Sequence, residues 1–151
     1  GGNVFRGYLN QPEANAEILV DGWFDTGDIG YLDEDGFLFL VDRAKDMVLR
    51  GGENIYSAEV EAAIYEHPAI AEAAVFAVPD ERLGERVGVA IVLLSGESLT
   101  ADELRAHTAV LIASFKVPED VWFLDDPLPR NANGKFVKRE LRDMLVGTTV
   151  D

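Results

Sequence analysis

Two apolar runs dominate the second half of the chain, Ala73-Ala74-Val75-Phe76-Ala77-Val78 and Val87-Gly88-Val89-Ala90-Ile91-Val92-Leu93-Leu94. Runs without polar alternation predict strands buried on both faces, joined here by the polar turn Pro79–Glu85. Upstream, residues to about Arg43 read as β. Ile29, Tyr31 and Phe37-Leu38-Phe39-Leu40-Val41 flank Asp33-Glu34-Asp35-Gly36, and Asp-Gly between apolar runs predicts a hairpin. A second hairpin is expected from Met47-Val48-Leu49 and Asn54-Ile55-Tyr56 around Gly51-Gly52.

Helical spacing takes over after Tyr56. Ser57 reads as an N-cap, with Glu59 and Glu61 near the positive end of the helix dipole and Val60, Ala63 and Ile64 as the inner stripe. This helix should stop at His67, because Pro68 disfavours helical geometry in the residue before it. Thr100-Ala101-Asp102-Glu103 is a capping box, opening a helix whose Leu104, Thr108, Leu111 and Ile112 face inward. Val121–Leu124 predicts a third short strand, Pro127–Gly134 a flexible loop, and about Val137 to Val146 a basic helix. The pattern is α+β: a β-hairpin and a mainly three-stranded sheet covered by helices, preceded by another hairpin.

Composition narrows the functions available. The chain has 151 residues, 48% hydrophobic and 27% charged, with no cysteine. That excludes a disulfide scaffold and thiolate metal sites, and fits a reducing, cytoplasmic setting. No apolar run reaches the roughly 18 residues a spanning helix needs. The net charge of −15 argues against nucleic acid and anionic membranes as partners. A small anionic ligand would need a local basic cluster, and Arg130, Lys135, Lys138, Arg139 and Arg142 supply one; the same residues also suit a solvated helix face. The chain opens Gly-Gly rather than Met and enters patterned sequence at once, as expected of a piece of a longer protein.

Several residues could carry chemistry. Asp28 follows Thr26-Gly27, where a carboxylate reaching from a tight turn can accept two hydrogen bonds from a cis-diol; it can equally be an ordinary turn Asp. Arg43 and Lys45 stand two residues apart, on one face of the expected strand. Gly51 and Gly52 either close a hairpin or admit a ligand to the backbone. Asp33–Gly36 is no calcium loop, since Tyr31 would occupy the first ligand position. Lys135 is no Walker lysine, with Phe136 after it and Pro129 where the first glycine belongs. His67 and His107 lack any nucleophile or metal-ligand pattern nearby and read as structural.

Thr26-Gly27-Asp28, then the segment Asp42–Tyr56, then Pro129-Arg130-Asn131-Ala132-Asn133-Gly134-Lys135, in that order, resemble the C-terminal motifs of the adenylate-forming enzymes. That superfamily holds acyl-CoA synthetases, firefly luciferase and the adenylation domains of peptide synthetases. The likeness runs from about Gly7 to Leu145. It implies that Asp28 binds the ribose hydroxyls of ATP and of the acyl-adenylate, with Arg43 on the same ribose or nearby phosphate. Lys45 matches the hinge position, and Gly51 and Gly52 leave room for the pantetheine arm of CoA. Lys135 resembles the catalytic lysine that touches both the substrate carboxylate and the α-phosphate.

The resemblance further implies a division into 1–42, the β-rich tail of a large N-terminal AMP-binding domain; 43–146, a mobile C-terminal lid; and a tail, 147–151. The implied reaction is that of an acyl-CoA synthetase, carboxylate and ATP giving acyl-AMP and pyrophosphate, then CoA giving the thioester and AMP. Gly51-Gly52-Glu53-Asn54-Ile55-Tyr56 resembles the fatty-acid–CoA ligase form. ATP and CoA are the expected substrates, Mg2+ accompanies ATP, and no metal ligand is expected in this chain. The expected partner is the N-terminal domain, which holds the phosphate loop and acyl pocket, so this chain alone should be inactive. A peptide-synthetase adenylation domain and a free-standing nucleotide- or partner-binding module are the alternatives.

Overall fold

The computed structural model describes residues 2–147, and the chain divides into two compact units between Lys45 and Asp46. The expected tail, 147–151, lies outside the described residues except for Gly147. The first unit opens with a short helix, α1 (Pro12–Ile18), followed by β1 (Leu19–Val20), β2 (Trp23–Phe24), β3 (Asp28–Leu32) and β4 (Leu38–Arg43). The helix corrects the expectation of β throughout. Pro12 at the start of Pro-Glu-Ala-Asn-Ala-Glu pre-sets a helical φ and costs no needed N–H, and alanine and glutamate favour helix over strand.

β3 and β4 pair antiparallel around the acidic turn, as the Asp-Gly signal predicts, with Asp33 Oδ1 accepting from the amides of Asp35 and Phe37. Gly30 lies against this ladder: a Cβ there would stand 2.5 Å from the Phe39 carbonyl oxygen. No described residue of the first unit is buried. Tyr31, Leu32, Phe37, Leu38, Phe39 and Leu40 are all exposed, so this hairpin carries apolar side chains on both faces without a core of its own.

The second unit is built around β7 (Ile70–Asp80) and β8 (Gly84–Leu93), an antiparallel pair longer than the apolar runs alone suggested. The polar ends pair too, so the turn shrinks to Glu81–Leu83, with Asp80 Oδ1 accepting from the Arg82 and Leu83 amides. β9 (Asp120–Phe123) adds parallel to β8. The hairpin of β5 (Val48–Arg50) and β6 (Glu53–Ile55) joins through one bridge, Arg50 to Gly84. The sheet order is β6-β5-β8-β7, with β9 on β8.

Alternation splits each apolar run between two cores. Ala73 and Val75 of β7 and Val87, Val89 and Ile91 of β8 meet Val60 and Ile64 of α2 (Ser57–Tyr65) and Leu104 of α3 (Ala101–Ala109). Ala74, Phe76, Val78 and Ala90 face the other way, onto Leu128 and onto Leu141 of α4 (Lys138–Leu145). Gly88 belongs to this second face, where a Cβ would stand 2.5 Å from Val78 and 3.0 Å from Trp122.

Helix ends bring further corrections. Ser57 is the first helical residue of α2 rather than its cap; its buried hydroxyl instead donates to the Asp46 carbonyl. The helix ends at Tyr65, just short of His67. The Thr100–Glu103 capping box forms, the Glu103 amide reaching Thr100 Oγ1 at 3.2 Å and the Thr100 amide reaching Glu103 Oε2 at 2.8 Å. α3 ends before Leu111, which is exposed, while Ile112 packs on the core. β7 is an edge strand, and α2 covers part of that edge: the Tyr65 hydroxyl accepts from the Ala73 amide and Glu61 Oε1 from the Val75 amide, both otherwise open to another strand. Among the described residues no helix is long and apolar enough to cross a membrane.

Candidate functional site

In the first unit, the hairpin register sets Asp28 directly opposite Arg43. Arg43 Nε donates to Asp28 Oδ1 at 2.9 Å and Nη2 donates to the Thr26 carbonyl at 3.1 Å. The Thr26-Gly27 corner is tight, with Gly27 at φ +66 and its amide bonded to Asp25 Oδ1 at 2.8 Å, a left-handed step that favours glycine. The two side chains are 31% and 47% exposed, so a ligand can reach both. The motifs that the sequence separates by fifteen positions thus meet in one polar pair. Lys45 does not share a strand face with Arg43. Arg43 ends β4, and Lys45 sits exposed in a 3-10 turn, Ala44–Asp46, as the last residue of the first unit.

In the second unit, Gly51 and Gly52 form the β5–β6 turn at φ +59 and +92. Consecutive positive φ values are what a two-residue hairpin with the right twist demands, and they account for both glycines. Space differs between them: a Cβ on Gly51 would come within 3.3 Å of Leu83, while nothing lies within 4 Å at Gly52. The hairpin is tied down by the Gly51 amide on the Leu83 carbonyl, by the Leu49 amide on Glu85, and by Arg50 on Glu119 at 2.6 Å.

Lys135 ends a closed turn rather than lying in a loose loop. The Asn131 amide donates to the Lys135 carbonyl and the Gly134 amide to the Asn131 carbonyl, each at 2.9 Å. Asn131 Oδ1 accepts from the Asn133 and Lys135 amides, and Arg130 and Phe136 pair as a β-bridge across the base. The basic cluster is largely neutralised internally. Arg130 pairs with Glu72, Lys138 with Glu61, and Arg139 and Arg142 with Asp143. Lys135, exposed, has no ion pair among the described residues. A cation without an internal partner is the member of the cluster left to meet an external anion.

Sequence reasoning missed Glu72, which the structure ties to this turn through Arg130 and the Leu128 amide. One signal was available: an acidic residue inside an otherwise apolar strand needs a partner. His67 and His107 pack edge to face at 5.0 Å, with His107 Nε2 at 3.1 Å from the Ala63 carbonyl. Among the described residues no group of three or more His, Asp or Glu could hold a metal ion.

Comparison with known proteins gives these motifs a family. Residues 59–135 match the model of the AMP-binding enzyme C-terminal domain. The chain is 41% identical over 145 residues to the 2-succinylbenzoate–CoA ligase of Geobacillus sp. (strain WCH70), covering 96% of this chain and 29% of that protein. It is 48% identical over 143 residues to the feruloyl-CoA synthase of Amycolatopsis sp, covering 94% and 29%. With the fatty acid–[acyl-carrier-protein] ligase ScoC of Streptomyces coeruleorubidus it shares 46% over 140 residues, 93% of this chain and 27% of the other. Among solved structures, Bacillus subtilis o-succinylbenzoate CoA synthetase in complex with its acyl-adenylate superposes with a TM-score of 0.87 at 40% identity, covering 98% of this chain and 30% of that one. ATP-bound MatB from Rhodopseudomonas palustris gives 0.86 at 38% identity, covering 95% and 29%. The chain therefore spans under a third of the length of these relatives. With the motif order, the fold and the matched segment in agreement, the chain belongs to the AMP-binding enzyme C-terminal domain family.

Proposed function

We propose that this chain is the C-terminal part of an ATP-dependent acid–thiol ligase, in which unit two is the mobile lid and unit one the end of the large nucleotide-binding domain. The reaction is adenylation of a carboxylate with loss of pyrophosphate, followed by attack of the CoA thiol on the acyl-adenylate with release of AMP. The observation that carries this reading is Lys135: an exposed ammonium without an ion-pair partner among the described residues, at the tip of a hydrogen-bonded turn, in a cluster whose other cations are paired. Its part is electrostatic, stabilising charge on the α-phosphate and carboxylate as pyrophosphate leaves. Asp28 and Arg43 hold the ribose, Gly51 and Gly52 give the pantetheine arm room, and Lys45 is the pivot. Magnesium enters with ATP as part of that substrate.

The acid is a carboxylate, with a fatty acid the reading that the Gly51–Tyr56 motif supports. The Gly51–Tyr56 variant favours the fatty-acid ligase form, and relatives are named for a fatty acid, ferulate and 2-succinylbenzoate. The exposed apolar side chains of the β3–β4 hairpin support a neighbouring domain that covers them in the whole protein. The setting proposed is cytoplasmic.

The test separates the half-reactions in the full-length protein that carries this chain. Lys135→Ala should lower pyrophosphate exchange by about 10²–10³, the range for removing one charge-stabilising donor from a water-excluded site. Thioester formation from synthetic adenylate and CoA should stay near wild type. Near-normal exchange, or equal loss of both steps, would remove Lys135 from the role.

A further inference from the structure

The strap from Leu128 to Lys138, which carries Lys135, is anchored at both ends by carboxylates from the body of the second unit. Glu72 lies among the apolar residues of β7, with its side chain 20% exposed. Its Oε2 accepts from the Leu128 amide at 2.7 Å and its Oε1 from Arg130 Nη2 at 2.8 Å. The other arm of the same guanidinium, Nη1, donates to the Gly134 carbonyl at 2.7 Å, and its plane lies 4.0 Å over the Phe136 ring. One side chain therefore connects β7 to the peptide immediately before Lys135. At the far end, Glu61 pairs with Lys138 Nζ at 2.8 Å while accepting from the Val75 amide.

A carboxylate within an apolar strand is unfavourable unless it is bonded, and both oxygens of Glu72 are. The Arg130 guanidinium holds its carboxyl below the usual range, so it is charged throughout the neutral region. Packing needs no acid here. The carboxylate instead fixes one arm of Arg130 while the other arm bonds the Gly134 carbonyl of the turn.

We propose that Glu72 is a positioning residue for Lys135: through Arg130 it orients the turn that presents the ammonium to the reacting carboxylate and phosphate. This rests on the reading of Lys135 as the adenylation lysine. Glu72 touches no substrate, and its influence passes through the lysine alone.

A double-mutant cycle in the full-length enzyme tests it. Glu72→Gln preserves shape and can still accept from the Leu128 amide, but removes the charge that holds Arg130. It should lower kcat for adenylate formation by about 10–100-fold, the cost of displacing a catalytic group by about an ångström, with KM for ATP unchanged. Thioester formation from synthetic adenylate should stay near wild type. Arg130→Lys keeps the charge but cannot span Glu72 and Gly134 together, and should reproduce the loss. In a Lys135→Ala background, Glu72→Gln should cost nothing further. In the isolated chain, Glu72→Gln should speed amide exchange at Gly134 and Lys135 while leaving β8 unchanged.

An undiminished Glu72→Gln loss in the Lys135→Ala background overturns the proposal. So does equal loss of both half-reactions, a normal Arg130→Lys enzyme, or unchanged exchange in the turn. Full adenylation by Lys135→Ala itself would instead strike the reading of the lysine, and that result is distinct from a failure at Glu72 alone.

Discussion

Asp28 and Arg43 stand in register across the first hairpin, Nε 2.9 Å from Oδ1, with the second Arg43 arm on the Thr26 carbonyl. An exposed pair of this kind contributes at most about 1 kcal/mol to stability. On the proposed reading, its worth lies in holding two polar groups ready for a diol. Asp28→Ala should therefore move the melting temperature of the isolated chain little, while in the full-length enzyme KM for ATP rises and adenylation falls. A large melting shift with unchanged ATP kinetics would make the pair structural.

The isolated chain should show only background pyrophosphate release with ATP and assorted carboxylates, since on the proposed reading Lys135 acts on an α-phosphate, and Asp28 on a ribose, held by a domain outside this chain. In the same sample, amides of β3 and β4 should exchange faster than those of β8. β8 is buried and flanked on both sides, whereas the first hairpin has no buried residue. Turnover well above background would sink the assignment of the chain as an incomplete enzyme.

Lys45→Pro in the full-length enzyme should impair thioester formation far more than adenylation. Lys45 sits in the 3-10 turn at the break between the units, and proline would restrict the backbone of both Lys45 and Ala44. Equal loss of the two steps would exclude a pivot at this residue.

The Glu72 carboxyl has a depressed pKa in the folded chain, chiefly through its hydrogen bond from Arg130. Its contribution is thus complete above the ordinary glutamate value of about 4.3 and is lost as pH falls through the lower folded value. The stability gap between the chain and its Glu72→Gln variant should be constant from about pH 8 to 5 and narrow on further acidification. Urea titrations across that range measure it, and a gap that widens in acid would contradict the assigned partner.

Gly88→Ala should destabilise the second unit by about 1–3 kcal/mol through overpacking. The new methyl would stand 2.5 Å from Val78 and 3.0 Å from Trp122, inside a face closed by α4. Thermal melting of the isolated chain reads this directly, and an unchanged midpoint would mean the sheet relaxes freely there.

Local chemistry made much of this protein legible before any fold was known. Asp-Gly and Gly-Gly turns announce both hairpins, because few residues tolerate their backbone angles, and Thr100 with Glu103 marks a helix start by reciprocal bonds within one turn. The motif residues Asp28, Arg43 and Lys135 could likewise be singled out by type and order. Elsewhere short-range signals misled. The β character of its surroundings hid α1, and Ser57 turned from cap to tether because Asp46 offered a carbonyl that only the tertiary fold brings near. The two-core division of β7 also needed the helices in place, since a continuous apolar run says that both faces are covered but not by what. Which cation stays unpaired was decided only in three dimensions. Glu72 comes from β7 and Glu61 from α2 to neutralise the neighbours of Lys135. Glu72 and Arg130 are 58 positions apart, and a pairing at that range leaves no trace in local spacing, because it exists only once the sheet and the strap have folded against each other.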